Sequence, residues 1–273
     1  MQKLYKFNQE GKNMTSMKVV ILCGGLGTRL REETEFKPKP LVDIGGMPIL
    51  WHIMKIYSAY GFKDFILCLG YKGTMIKEFF LNYKKLKTDF TLNLKNESIV
   101  LHGNDADEED WNITFADTGS ETQTGGRVKK IEKYIDGDSF LLTYGDGVGD
   151  VDIQALVEHH KRVGRIGTIT GVVHRDKYGN LEHKNDILTS FSEKPVSKDL
   201  INGGFMVFNK EIFNFLKGDV MLEKDPFREL IERSQLSVYK HYGFWRCMDT
   251  YKDYIDLNEM WRSGVVLWII KKK

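Results

Sequence analysis

Short apolar runs that end at glycine alternate with stretches of helical period along the first half of the chain. Lys18–Cys23 (KVVILC) is a continuous apolar run ending at Gly24, the pattern of a strand buried on both faces. Met47–Tyr60 then carries the period of an amphipathic helix, with Pro48 near its start and Gly61 just past its end. Phe65–Leu69 (FILCL) repeats the strand and Thr74–Leu86 repeats the helix, with Thr74 as a candidate cap. Strand, helix, strand, helix predicts a parallel sheet covered by helices.

Phe90–Leu94 and Ile99–His102 read as paired short strands, Asp105–Asp110 (DADEED) as an acidic surface loop, and Ile113–Phe115 as a further strand. A helix through GRVKKIEKYI ends at Ile135, an apolar strand begins at Phe140, and Asp152–Val163 is helical again. From Gly167 the pattern turns towards β: GTITGVV, NLEHKNDILTSF with an Asn185-Asp186 turn, and GGFMVFN. A helix at Pro226–Ser234, a strand near Ser237–Tyr242 and a helix at Tyr251–Trp261 come last. The predicted class is α/β, a Rossmann-like, mostly parallel sheet flanked by helices with a smaller β-rich subdomain. The expected organisation is a disordered extension over 1–16, one domain over 17–264 whose halves meet near 165, and a tail over 265–273. Val265–Ile270 (VVLWII) would cover either the chain's own sheet or a neighbour.

Composition narrows the function classes. The 273 residues are 41% hydrophobic and 29% charged, with material for a sizeable core. A net charge of +2 supplies no overall basic field for nucleic acid. The sequence has no apolar run of about 18 residues, so no membrane-spanning helix is expected. The opening MQKLYKFNQEGKNMTS lacks the apolar core of a secretory signal. Cys23, Cys68 and Cys247 have no ligand-like spacing, which argues against structural zinc and a disulfide framework and for a reducing, cytoplasmic compartment.

The chemistry concentrates after the first strand. In CGGLGTR the glycines allow positive φ and let backbone amides converge on an anion. Arg29 adds a forked donor, and Lys37 or Lys39 can bring a point charge to the same anion. The loop is not a Walker loop, which ends Gly-Lys-Ser/Thr. Nor is it a dinucleotide fingerprint, because Pro38 and Pro40 interrupt the stretch where that motif needs a helix. His159-His160 points to different helix faces rather than to one metal, Trp51 and Trp261 sit at packing positions, and His102 reads as surface.

The arrangement strand–GGLGTRL–KPKPL–helix resembles the sugar-1-phosphate nucleotidyltransferases. The likeness continues through YGDG (Tyr144–Gly147), SFSEKP (Ser190–Pro195), INGGF (Ile201–Phe205) and GFWRCMDT (Gly243–Thr250). PILWHIMKIYS (Pro48–Ser58), GYKG (Gly70–Gly73) and TGGR (Thr124–Arg127) make the set most similar to the glucose-1-phosphate cytidylyltransferases. It runs almost unbroken from Met17 to about Gly264.

That resemblance implies transfer of a cytidylyl group from CTP to a sugar 1-phosphate, with glucose 1-phosphate the best guess, for surface polysaccharide precursors. It assigns nucleotide binding to Leu22, Cys23, Gly24, Gly25, Leu26, Gly27, Thr28, Arg29, Lys39, Arg127 and Gly145, with Arg29 and Lys39 catalytic and Lys37 a weaker candidate. Asp146 and Asp249 would hold Mg²⁺; their pairing comes from the family, since nothing in their spacing requires it. Glu193, Lys194, Asn202 and Gly203 would take the acceptor. These enzymes commonly form homo-oligomers, with no nucleic-acid or membrane partner. One departure bears on the acceptor: VVHRDKYGNLEH stands where such enzymes carry a PPGRFG-like segment. This leaves a different, even non-sugar, phosphorylated acceptor open. A nucleotide-sugar-using glycosyltransferase and an inactive regulatory subunit are the rival classes.

Overall fold

The computed structural model describes residues 17–25, 27–102, 109–175, 180–192 and 196–269. The first unit is β1 (Val19–Leu22), a two-residue ladder of β2 (Asp43–Ile44) and β3 (Met47–Pro48), α1 (Ile49–Ala59) and β4 (Asp64–Leu69). Then come α2 (Gly73–Leu81), α3 (Tyr83–Lys87), the hairpin β5 (Phe90–Asn93) and β6 (Ser98–Leu101), β7 (Asn112–Asp117) and α4 (Thr124–Lys130). The next elements are β8 (Ser139–Tyr144), β9 (Gly147–Gly149), α5 (Ile153–Val163) and β10 (Gly167–Arg175). A second hairpin, β11 (Asn180–Lys184) and β12 (Ile187–Ser192), precedes β13 (Val196–Asn209). The chain continues through α6 (Asp225–Glu232), β14 (Leu236–His241), β15 (Trp245–Cys247) and α7 (Tyr251–Arg262).

Seven strands form the central sheet in the order β14-β10-β13-β8-β1-β4-β7. β1 runs parallel to β4 and β8, β4 to β7, and β10 to β14, while β13 is antiparallel to both its neighbours. The sheet continues across position 165, because β13 pairs with β8 and sets Met206 opposite Leu142. The two hairpins and the β9–β15 ladder lie outside it.

The period-2 alternation of β1 explains the core. Val19 and Ile21 face one apolar cluster, with Ile53 and Met54 of α1 and Leu156 of α5. Val20 and Leu22 face the other, with Val128 of α4 and Leu230 of α6. Cys23 and Cys68 are buried thiols in these layers, as their apolar contexts predict. His160 is buried between Thr168 and Asn209 and serves packing. Trp51 donates to the Tyr83 hydroxyl, Trp261 meets His52 edge-on, and His102 is exposed beside Thr91.

Expectations for two helices change, and the alternative left open for the C-terminal segment resolves. The helix expected over Thr74–Leu86 starts at Gly73 and divides at Asn82 into α2 and α3. Its cap position is Lys72, held left-handed at φ 51° by the tight turn after β4, so Thr74 does not cap it. The helix expected to end at Ile135 tightens after Lys130 into a 3₁₀ turn over Glu132–Tyr134. In the segment VVLWII, Trp268 is fully buried, stacks on Phe244 and donates to His52, so this residue covers the chain's own core. The extension over 1–16 and most of the acidic loop lie outside the described residues. No described helix is long and apolar enough to cross a membrane.

Candidate active site

From β1 the chain passes to one side of the sheet for β4 and β7, and later returns to the other side of β1 as β8. The carboxyl ends of β1 and β8 therefore flank the point where strand order reverses, the place where open α/β sheets bind ligands. A cavity of about 290 Å³ opens there. Leu22, Cys23, Gly24, Gly25 and Gly27 line it from β1, and Tyr144, Gly145 and Asp146 from β8. Thr122–Thr124, Arg127, Lys39 and Pro40 complete the wall.

Two of the glycines are required for different reasons. Gly27 has φ +64°, a conformation that favours glycine. Gly24 instead permits close approach: a Cβ there would stand 2.0 Å from Arg127 Nη1. Arg127 projects from α4 and is almost fully buried. Its Nη1 donates to the carbonyls of Leu69 (3.1 Å) and Gly119 (2.7 Å) and to Thr118 Oγ1 (2.7 Å). Its Nη2 donates to the carbonyls of Gly24 and Ser120, each at 3.0 Å. These bonds tie the glycine loop to β4 and to the segment after β7, so Arg127 holds the cavity's shape from behind.

Lys39 sits at the electrostatic centre. A 3₁₀ turn over Lys39–Leu41, preset by Pro38 and Pro40, directs it back to the sheet edge. Its Nζ lies 2.7 Å from Asp146 Oδ2 and 2.6 Å from Asp249 Oδ1. Burial would lower the Lys39 pKa, but the charge of Asp146 and hydrogen bonds to both carboxylates outweigh it and hold the value above the ordinary lysine range. Burial likewise works to raise the Asp249 pKa, and the hydrogen bond and charge of Lys39 reverse it, leaving that carboxyl below its usual value. Asp146 comes directly after β8. Asp249 precedes α7, whose capping box holds it: Asp253 accepts from the backbone amides of Asp249 and Thr250, and Thr250 caps in return.

Arg29, largely exposed, reaches Asp249 Oδ2 at 3.5 Å. It lines a second cavity of about 610 Å³ rather than the first. Asn202, Gly203, Trp245 and Cys247 also line that cavity, and Tyr144 and Asp146 belong to both. The partition between the two is a hydrogen-bonded set. The Tyr144 hydroxyl donates to Glu223 Oε1, Thr124 Oγ1 donates to Glu223 Oε2 at 2.6 Å, and Asn202 Nδ2 donates to the Tyr144 oxygen at 3.2 Å. Burial, with the charge of Glu223, pushes the Tyr144 phenol far up, so it stays a donor. The Gly203 carbonyl accepts from Trp245 Nε1 at 2.7 Å.

The structure thus brings Leu22, Cys23, Gly24, Gly25, Gly27, Lys39, Arg127, Gly145 and Asp146 round one cavity, and Arg29, Asn202, Gly203 and Asp249 round the adjoining one. Thr28 begins an exposed 3₁₀ turn with Arg29 and lines neither. Lys37 turns away to Glu33 (3.3 Å) and Asp43 (2.9 Å). Leu26, Glu193 and Lys194 lie outside the described residues. Sequence reading missed Thr122, Gln123 and Glu223, and named Thr124, Tyr144, Trp245 and Cys247 only as members of their motifs. Tyr144 and Cys247 each stand two positions from aspartates already singled out, whereas Glu223 carries no local signal at all.

One ligand atom each from Asp146, Cys247 and Asp249 lies within 4.8 Å of the others. Two hard carboxylates converging at a phosphate-sized cavity fit a divalent cation, and Lys39 now places a positive charge between them.

The nucleotidyl transferase family profile matches residues 18–263. The chain is 44% identical over 254 residues to the probable glucose-1-phosphate cytidylyltransferase of Bacillus subtilis (strain 168), covering 92% of this chain and 99% of that one. It is 45% identical over 255 residues to the glucose-1-phosphate cytidylyltransferase of Salmonella typhimurium, covering 92% and 98%. The crystal structure of HddC from Yersinia pseudotuberculosis complexed with GMP-PN superposes with a TM-score of 0.66 at 25% identity, covering 90% of this chain and 99% of that protein.

Proposed function

The chain belongs to the nucleotidyl transferase family, and we propose that within it the protein transfers the cytidylyl group of CTP to glucose 1-phosphate, forming CDP-glucose and pyrophosphate. The observation that carries this reading is the meeting of two cavities at Lys39, Asp146 and Asp249. Near-full-length identity of 44–45% to two glucose-1-phosphate cytidylyltransferases supports the choice of CTP and glucose 1-phosphate.

A phosphate oxygen of the sugar 1-phosphate attacks the α-phosphorus of CTP. The new P–O bond forms as the α–β phosphoanhydride breaks, and pyrophosphate carries away the electron pair. The attacking group is already an anion, so the site needs no Ser, Cys or His nucleophile. It has to align the two reactants and neutralise charge. The cavity at the glycine loop takes the nucleotide and the larger one takes the sugar phosphate, so the phosphates meet at Asp146, which borders both. Lys39 releases its carboxylate contacts and turns its ammonium to the triphosphate, while Arg29 meets phosphate from the acceptor side. Asp146 and Asp249 would hold Mg²⁺, which supplies charge neutralisation across the phosphates. Asn202 and Gly203 border the acceptor, and Glu193 and Lys194 are assigned to it by their motif.

The product serves surface polysaccharide precursor synthesis in this reading, and three free cysteines suit a cytoplasmic location. Self-association is part of it too. On the β5–β6 hairpin Phe90 pairs with Leu101 and Leu92 with Ile99, giving one apolar face with each residue at least 38% exposed. A lone two-stranded hairpin is marginal in water, and a second copy of the chain would cover this face.

The test is product identification after incubation with CTP, glucose 1-phosphate and Mg²⁺. CDP-glucose should accumulate with wild type and fail to accumulate with Asp146→Asn or Asp249→Asn. Undiminished product from both variants would remove the metal assignment. Light scattering should give a mass above that of one chain.

A further inference from the structure

Cys247 is the feature of the site that phosphate chemistry leaves unused. The β15–β9 ladder places it opposite Gly147, the residue after Asp146, and Met248 N donates to the Asp146 carbonyl at 2.8 Å. It lines the larger cavity together with Asp146 and Asp249. The sulfur therefore shares the space enclosed by both carboxylates, each of the three ligand atoms within 4.8 Å of the others. The other two thiols are buried in the core.

We propose that Cys247 is a third ligand at the Asp146–Asp249 cation site, giving it a preference for thiophilic divalent ions such as Co²⁺, Zn²⁺ and Cd²⁺. Magnesium and manganese take oxygen donors and gain little from sulfur, whereas cobalt, zinc and cadmium bond thiolate strongly. Two carboxylate oxygens and one sulfur form a three-donor set, which leaves coordination positions for water or a phosphate oxygen. On binding, the S–H bond breaks, a metal–sulfur bond forms and the proton passes to solvent. The Lys39 ammonium leaves the carboxylates to make room. Thiophilic ions thereby occupy the catalytic centre as tight competitors of the hard ion, and the enzyme is exposed to inhibition by them.

This inference rests on reading Asp146 and Asp249 as metal ligands, and the experiment separates the two claims. Nucleotide-free protein is titrated with Co²⁺ and, separately, with Mn²⁺, monitoring the near-ultraviolet thiolate-to-cobalt band and the Mn²⁺ paramagnetic resonance signal. Wild type should show the cobalt band. Cys247→Ser and Cys247→Ala should lose it and bind Co²⁺ roughly tenfold or more weakly, with Mn²⁺ affinity little changed. No band in wild type, or equal losses for both ions in both variants, would overturn the proposal. If wild type lacks the band while Asp249→Asn abolishes Mn²⁺ binding, the thiol claim alone fails. If Asp249→Asn leaves Mn²⁺ binding intact, the carboxylate site itself fails and takes the thiol claim with it.

Discussion

Arg127 Nη2 donates to the Gly24 carbonyl at 3.0 Å, joining residues 103 positions apart. The bond explains a glycine whose φ is unexceptional. A methyl at position 24 would stand 2.1 Å from Arg127 Cζ, so the guanidinium would have to leave a place where it satisfies five acceptors. Gly24→Ala should destabilise the fold by about 1–3 kcal/mol and weaken CTP binding at least several-fold. Thermal unfolding and calorimetric CTP titration check this. Unchanged values of both would show that the loop tolerates the displacement.

Lys39 pairs with both carboxylates assigned to the cation, so under the proposed metal assignment it would compete with a divalent ion for them. Lys39→Ala should therefore split two properties. Mn²⁺ should bind more tightly to the nucleotide-free protein, because no ammonium has to be displaced. Turnover should fall by about 10²–10³-fold, because the triphosphate loses its nearest fixed cation. Loss of Mn²⁺ affinity together with turnover would contradict the competition.

Tyr144 and Glu223 partition the cavities through one hydrogen bond. Tyr144→Phe leaves a Glu223 oxygen and the Asn202 amide short of a partner. The KM for the sugar phosphate should rise about 3–10-fold, the size expected for one hydrogen bond. Because the residues act as a pair, adding Glu223→Gln should cost less than the sum of the single changes. Steady-state kinetics of the two single variants and the double variant give the answer.

The sheet was legible in the sequence because apolar runs ending at glycine mark buried strands, and each such run in the first half became one. Helix boundaries were less so. Lys72 caps α2 from a left-handed turn that the polar pattern cannot display. The glycine loop, Lys39 and the two aspartates were recognisable from their motifs. Glu223 was not, because its importance comes from Tyr144 and Thr124, 79 and 99 positions away. Arg127 was singled out through its TGGR motif as a nucleotide-binding residue, but its structural part was not visible. Its five backbone and hydroxyl acceptors depend on three strands meeting, and no local pattern encodes that.

His52 supplies a pH dependence away from the site. Trp268 Nε1 donates to its Nδ1 at 3.3 Å, which leaves Nε2–H to donate to the Ile44 carbonyl at 2.9 Å. Both ring nitrogens are satisfied in the neutral form. Burial lowers its pKa from the ordinary 6.5 to about 4. Protonation therefore favours the unfolded chain: the contribution is whole above pH 6.5 and is lost as pH falls towards 4. Between pH 7 and 5 urea unfolding should show a loss of about 2 kcal/mol from this residue. His52→Gln, which keeps a donor and an acceptor but does not titrate, should flatten that part of the profile.

The most direct test of the account is pyrophosphate release, crossing CTP, UTP, dTTP and ATP with glucose 1-phosphate and other phosphorylated acceptors in the presence of Mg²⁺. The account predicts release with CTP and glucose 1-phosphate well above every other pair, and its loss in Asp249→Asn. Faster release with another nucleotide or another acceptor would contradict the substrate assignment, and no release with any pair would contradict the enzyme itself.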